Sequence, residues 1–455
     1  MRKFLAVLVA RIVRKTSRAT GQGSGSTLPG LLAEKIDPNI ISKLARKFPK
    51  GIVLITGTNG KTTTAKMLAA ILNKAGHKVV YNFAGSNLSR GISSLLTEHA
   101  NFWGTKIKGQ MGIFEVDEAT LPEIAAKIPP RYILVTNLFR DQLDRYGELD
   151  KTAAIIGSAL QASPNAQILL NADDPLVASL VKYNKNVKYF GIEDKISTKS
   201  KRAIDSKDCL KCGHELKYSP RYFGHLGIYK CSKCNFVRPK PQYFLSDLKL
   251  EIGSSEACFN RKDEKQKISV QIPGLYNIYN ALAAASIASE VDIPINQISY
   301  ALNNVSAAFG RMEKIPVGNK NIFILLVKNP TGFTQGIETL SYDRKLKNLL
   351  MILNDNFADG TDISWIWDVE AEIIKDIIGS VIVSGIRAED LLLRLKYAEF
   401  NLNKITLEKD LAKALDRGLG NIKDGETLYI LPTYTAMLEI RRLLKNRGLV
   451  KGLME

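Results

Sequence analysis

Histidine and cysteine are scarce in this chain of 455 residues, and unevenly placed. Its four histidines are His77, His99, His214 and His225, and neither residue type occurs beyond Cys258. The C-terminal part therefore cannot assemble a Cys–His nucleophile of its own. Five cysteines are few for a secreted disulfide scaffold, and four of them have metal-ligand spacing, which points to a reducing compartment. A membrane-spanning run is not evident near the N-terminus: Phe4 to Ala10 is only seven apolar residues, Arg11 interrupts it, and no small-residue cleavage site follows. That segment reads as an amphipathic helix, packed on the protein's own body or lying on an inner leaflet. Acids are outnumbered, 45 Asp+Glu against 64 Lys+Arg, for a formal charge of +19. No basic stripe interleaved with aromatics accompanies this excess, so nucleic acid is not expected; polyanionic small substrates or an anionic membrane surface lead.

What is present is a soluble globular composition, 45% apolar, long enough for two or three domains. "GIVLITGTNGKTTTAKMLAAIL" reads as strand, glycine loop and helix. In Gly57-Thr58-Asn59-Gly60-Lys61-Thr62 the glycines let backbone amides curl around phosphate, Lys61 adds charge, and the Thr62 hydroxyl can reach Mg²⁺. Thr58, Asn59, Gly60, Lys61, Thr62 and Thr63 are thus the expected nucleotide-binding residues, although Ile55, five before Gly60, departs from the plain Walker A spacing. Upstream, "GQGSGSTLPG" (Gly21 to Gly30) reads as a loop.

Cys209-x-x-Cys212 and Cys231-x-x-Cys234 form two knuckles, the pattern of a closed, structural Zn²⁺ ribbon; a redox role for the pairs is the alternative. His214 and His225 are expected at the surface rather than as ligands. Cys258 lies in a polar segment. From about Asn321, "IFILLV", "NLLMIL", "SVIVSG" and "TLYILP" read as parallel core strands, with helices expected over Ala388 to Tyr397 and Leu407 to Leu415.

The loop variant resembles the Mur ligase family, ATP-dependent enzymes of peptidoglycan peptide assembly, and further motifs follow in the family's order. "FEVDEA" places Glu115 where the family holds a Mg²⁺ ligand. "VTNLFRDQLDRYG" matches the family's next segment, with Gln142 in place of a metal-binding histidine. "LNADDP" carries Asn171, Asp173 and Asp174; "GLYNIYNALAA" supplies Asn277 and Asn280 near the adenine; "FGRME" sets Arg311 to meet phosphate. Only about 50 residues precede the loop, too few for the UDP-binding domain of the soluble-precursor ligases. A substrate presented another way, such as a lipid-linked one, is expected. The family's amino-acid-binding stretch is reduced to Asn329 and Pro330 within Leu326-Val327-Lys328-Asn329-Pro330.

"NDNFADGTDISWIWD" and "LPTYTAML" resemble more closely the C-terminal domain of the MurT family, ligase subunits of lipid II isoglutaminyl synthase. The resemblance implies an α/β fold: a Mur ligase-like P-loop ATPase central domain (41–320) with a four-cysteine zinc-ribbon insertion (about 205–238), then a Rossmann-like C-terminal domain (321–455), after a basic amphipathic segment (1–40). It implies amidation of the D-glutamate α-carboxylate of lipid II, with ATP, Mg²⁺ and Zn²⁺. Nitrogen would come from a GatD-type class I glutamine amidotransferase in a heterodimer, and lipid II would be met at the inner leaflet from the cytoplasm. Since Cys and His must then come from the partner, Asp355, just after the strand "LLMIL", is chosen as the acid that completes its triad, against a turn or cap role; Lys61 and Glu115 are the catalytic residues of the ligase half. A self-sufficient amino-acid ligase of the Mur or folylpolyglutamate type and a non-catalytic nucleotide-binding module remain the rival classes.

Overall fold

The structure, a computed structural model, describes residues 1–19, 27–82, 88–139, 149–196, 206–305, 311–343 and 345–450. Strands β1 (Ile52–Thr56), β2 (Val79–Tyr81), β3 (Met111–Glu115), β4 (Tyr132–Val135), β5 (Gln167–Asn171), β6 (Val187–Ile192), β9 (Tyr243–Leu250), β10 (Ser255–Arg261) and β11 (Glu264–Val270) form one sheet, ordered β11-β10-β9-β6-β5-β4-β1-β3-β2. From β2 to β9 the neighbours run parallel; β10 and β11 add antiparallel turns at one edge. β1 is buried throughout, because its residues IVLIT carry apolar side chains to both faces. The chain goes from β1 to β2 and β3 on one side and then crosses to β4 on the other. That reversal opens a crevice at the carboxyl ends of β1 and β4.

The second sheet is β12 (Arg311–Val317), β13 (Lys320–Leu325), β17 (Thr427–Pro432), β14 (Lys347–Ile352), β15 (Ile378–Ser384) and β16 (Ile405–Leu407), in that order, parallel except for the β12–β13 hairpin. The four apolar runs are its core strands, and a helix spans Ala388–Tyr397 as the periodicity predicts. Leu407 to Leu415 is not one helix. Ile405–Leu407 pairs with β15 as an edge strand, and the helix begins only at Leu411, where the Asp410 side chain accepts from the Lys413 amide at 2.9 Å.

A two-stranded ribbon, β7 (Leu216–Phe223) with β8 (Leu226–Cys231), is inserted in the chain between β6 and β9 as a separate sheet. The N-terminal helix, Arg2–Ala19, packs Ala6, Val7 and Ala10 against the body of the first domain. Pro29-Gly30 are not loop residues: they open a helix, Leu28–Ile36, with Pro in its first turn, where no amide partner is missed. Gly30 is there for closeness. A Cβ at this position would lie 1.9 Å from the Arg90 carbonyl oxygen, and the Gly30 amide donates to Ser94 Oγ at 2.7 Å. Among the described residues no helix is long and apolar enough to cross a membrane.

Candidate active site

The phosphate loop leaves β1 at Gly57 (φ +118°) and enters the helix Lys61–Lys74 through Gly60 (φ +90°), both in backbone conformations that only glycine adopts without strain. Space demands glycine as well: a Cβ on Gly57 would meet Thr136 Oγ1 at 2.3 Å, and one on Gly60 would meet Asn280 Oδ1 at 2.0 Å. The loop is laced to the segment after β4. The Thr58 amide donates to the Asn137 carbonyl (2.9 Å), the Asn59 amide to Asn137 Oδ1 (2.9 Å), and Thr136 Oγ1 to the Asn59 carbonyl (2.8 Å). Thr58 Oγ1 donates to the Phe139 carbonyl and accepts from its amide. The loop is thus preorganised and leads into the first turn of a 14-residue helix, whose N-terminal end favours an anion.

Lys61 Nζ donates to the Gly57 carbonyl (2.6 Å) and to Glu118 Oε1 (2.8 Å). Sequence reasoning passed over Glu118, although "FEVDEA" holds three acids at one strand end. A partly buried ammonium at a loop mouth calls for a counter-charge, and Glu118, itself buried, supplies it. Glu115 ends β3, in register with Ile55 of β1. Its backbone is clamped by Asn82, which accepts from the Glu115 amide and donates to its carbonyl. Glu115 is 6% exposed, and its buried Oε2 has no hydrogen-bond partner among the described residues. A buried oxygen left open beside a phosphate loop, with the Thr62 hydroxyl on the adjoining helix turn, suits a hard cation that prefers oxygen ligands.

Asn277 and Asn280 lie in the first turns of the buried helix Leu275–Glu290. With Asn59, Gly60, Lys328 and Gln335 they line a cleft between the two sheets. Asn329 bridges it: Oδ1 caps the helix Pro330–Leu340 by accepting from the Gly332 amide (2.7 Å), and Nδ2 donates to Asn59 Oδ1 (3.2 Å). The structure therefore brings together Thr58 to Thr63, Glu115, Asn277 and Asn280. Gln142 and the side chain of Arg311 lie outside the described residues; only the backbone of Arg311, opening β12, is placed. Asp173 and Asp174 hold structure together. Asp173 is fully buried and accepts from Arg238 Nε (2.6 Å), Tyr279 OH (2.6 Å) and the Ile192 amide (2.8 Å). Burial pushes its carboxyl up, against Arg238 and these hydrogen bonds. Asp174 caps the helix Pro175–Ser179 and accepts from the Leu138 amide.

The four cysteines converge. The sulfurs of Cys209, Cys212, Cys231 and Cys234 all lie within 4.8 Å of one another, with 3.5 Å between Cys209 and Cys234 and 3.4 Å between Cys212 and Cys231. A tetrahedron with Zn–S bonds of about 2.3 Å separates its sulfurs by about 3.8 Å, so the donor set fits zinc. The Lys211 amide points at Cys209 Sγ and the Lys233 and Cys234 amides at Cys231 Sγ, stabilising thiolate charge. His214 is exposed as expected; His225 is not. It is 0% exposed, at the tip of the β7–β8 hairpin, with Nε2 3.3 Å from Asp174 Oδ2 and its ring 4.6 Å from that of Phe139. Phe223 stacks on the same ring at 5.6 Å. The ribbon's tip is thus wedged behind the segment that holds the phosphate loop. A histidine in "FGHLG" carries no sequence signal for that burial, which arises from contacts distant along the chain.

At the second sheet, Asp355 follows β14, and its Oδ2 accepts from Arg387 Nη1 at 3.0 Å. Its neighbours have local duties. Asp359 caps the helix Tyr434–Asn446 by accepting from the Thr435 amide (2.8 Å) and hydroxyl. Asp362 accepts from the Ser364 amide and hydroxyl, which hold its carboxyl below the usual range. Gly360 makes the turn at φ +88°. Among the described residues Asp355 caps no helix or turn. Around it Phe357 (96% exposed), Ile386 and Tyr434 present apolar surface to solvent.

Residues 55–288 match the Mur ligase middle domain family and residues 326–437 the MurT ligase C-terminal family. The lipid II isoglutaminyl synthase (glutamine-hydrolyzing) subunit MurT of Streptococcus pneumoniae is 37% identical over 433 residues, 94% of each chain. Its Staphylococcus aureus counterpart is 34% identical, over 99% of this chain and all of its own. Among solved structures, a pseudomurein peptide ligase type C from Methanothermus fervidus superposes with a TM-score of 0.67 at 25% identity, covering 89% of this chain and 80% of its own. With this likeness over nearly its whole length, and a phosphate loop built as described, the chain belongs to the MurT family of Mur ligases.

Proposed function

We propose that this chain is the ATP-dependent ligase half of a lipid II isoglutaminyl synthase. It would activate the D-glutamate α-carboxylate of the lipid II stem peptide as an acyl phosphate, which ammonia then displaces to give D-isoglutamine. The observation that carries this reading is the likeness to MurT subunits at 34–37% identity over nearly the full chain. The loop amides and Lys61 would hold the β- and γ-phosphates, Asn277 and Asn280 the base, and Arg311 the transferred phosphoryl. Thr62 and Glu115 are the residues that would hold Mg²⁺, whose charge offsets that developing on the phosphoryl oxygens. On arrival of nucleotide, Lys61 would exchange Glu118 for phosphate. Cys209, Cys212, Cys231 and Cys234 would hold a structural Zn²⁺.

Ammonia would come from a GatD-type class I glutaminase. We assign Asp355 to the triad of that partner, accepting a hydrogen bond from its histidine and fixing the tautomer. Arg387 would hold the carboxylate in place until then. Exposed Phe357, Ile386 and Tyr434 supply an apolar rim for the contact. The work would be done in the cytoplasm, at the inner face of the membrane where a lipid-linked acceptor lies.

The test is reconstitution. The chain alone should amidate lipid II with ATP and ammonium. With glutamine as donor it should be inactive until a class I glutaminase from the same cell is added. Addition of a whole amino acid without any partner would overturn the assignment in favour of a self-sufficient ligase.

A further inference from the structure

The helix Arg2–Ala19 is apolar on two opposite sides. Its inward stripe, Ala6, Val7 and Ala10, is buried against the first domain. Half a turn away, Leu5 and Ile12 are about half exposed and Leu8 is partly exposed, all on one outward line at helical spacing. At the helix's N-terminal end this line meets two more exposed apolar side chains. Phe102 and Trp103 (62% exposed) project from the turn after the helix Ser89–His99, with Phe4 packed edge-on to one and stacked on the other. A stripe of large apolar groups facing solvent beside an inward stripe of small ones is the reverse of what a free surface helix shows.

Cations dominate the charge around it. Neither the helix nor residues 100–110 contain an acid, and exposed Arg2, Lys15, Lys106 and Lys108 lie in these two segments. Arg11 and Arg14 are spent inward, on the Ala100 and Ser94 carbonyls, and Arg14 neutralises Glu98. Aliphatic side chains, two aromatics and a basic surround are what an anionic bilayer surface accepts: the apolar groups enter the headgroup boundary while the cations stay with lipid phosphates. We propose that the outward stripe of the helix Arg2–Ala19, with Phe102 and Trp103, docks this protein on an anionic membrane surface. The proposal extends the reading of a lipid-linked acceptor, and it commits to lipid rather than to the glutaminase, which is assigned the edge around Asp355 in the other sheet.

The experiment is flotation of the full chain with vesicles of phosphatidylcholine alone and of phosphatidylcholine mixed with an equal part of phosphatidylglycerol. The protein should bind the mixed vesicles, bind the neutral ones weakly, and be released by salt. Ile12→Glu and Trp103→Ala should each weaken binding by about tenfold or more. Both should keep the wild-type circular dichroism and wild-type amidation of a water-soluble, short-chain acceptor, because neither side chain is in the ligase site. Absence of binding to the mixed vesicles, or wild-type binding by both variants, overturns the proposal. Loss of vesicle binding on adding the glutaminase overturns it too, assigning the stripe to a protein contact. Vesicle binding by a chain that amidates no acceptor would instead sink the ligase reading and leave this one standing.

Discussion

The two sheets both carry their chemistry where parallel strands end, but they finish those ends differently. Beyond β1 and β3 nearly every polar group is already matched: Thr58 with Phe139, Asn59 with Asn137, Lys61 with Glu118. Among the described residues the buried Oε2 of Glu115 is left without a partner there, beside the N-terminal end of the helix Lys61–Lys74. Beyond β14 Asp359 caps the helix Tyr434–Asn446 and Asp362 stitches its own turn, while Asp355 sits at the rim with one arginine and exposed aromatics. The first end is preorganised for a ligand that enters a crevice. The second is an exposed apolar rim around one ion-paired acid, a composition that the proposed glutaminase contact would bury.

The difference makes mutations separable. Asp355→Asn should reduce glutamine-dependent amidation on the order of 10⁴-fold, the loss expected when a triad acid becomes an amide, while ammonium-dependent amidation stays near wild type. Loss of both activities would place Asp355 in the ligase site and erase the contrast. Lys61→Ala should fall by about 10²–10³-fold with either nitrogen source, because a preorganised cation facing the phosphoryl group is gone; near-normal turnover by this variant would disqualify the loop. Metal should sharpen the picture from a third position. Purified protein should contain about one Zn²⁺ per chain. Cys212→Ser should weaken nucleotide binding several-fold by isothermal titration, since the ribbon whose tip carries Phe223 and His225 backs Phe139 and, through it, Thr58. An unchanged nucleotide affinity would show the ribbon to be uncoupled. The smallest effect belongs to Asp359→Ala, about 1 kcal/mol of stability from a lost helix cap in denaturant unfolding, with little change in glutamine hydrolysis by the assembled complex.

The phosphate loop, the four-sulfur cluster and the C-terminal core strands were all legible because each is written locally: strand–glycine–helix, paired Cys-x-x-Cys, uninterrupted apolar runs. The misreadings share the opposite cause. Pro29-Gly30 looks like a turn until another helix approaches within contact of the Gly30 backbone. His225 looks like a surface residue until Phe139 and Asp174 close over it. Glu118 is one acid among three until Lys61 selects it. In each case the deciding partner is at least fifty residues away along the chain. Asp355 is intermediate: its position after a strand was legible, but its pairing with Arg387 was not.

The N-terminal helix is fixed to the body at several points along its length: Phe4 on the Phe102–Trp103 turn, Ala6, Val7 and Ala10 in the core, Arg11 and Arg14 on the carbonyls of the neighbouring segment. It is therefore a keel rather than a tether. Any surface that meets its outward side sets the tilt of the whole nine-stranded sheet at the same moment. Were that surface the bilayer proposed above, the height of the crevice over it would be a constant of the fold, and the reach of a lipid-linked acceptor from its anchor, not diffusion of the protein, would decide which carboxylates come within range of the phosphate loop.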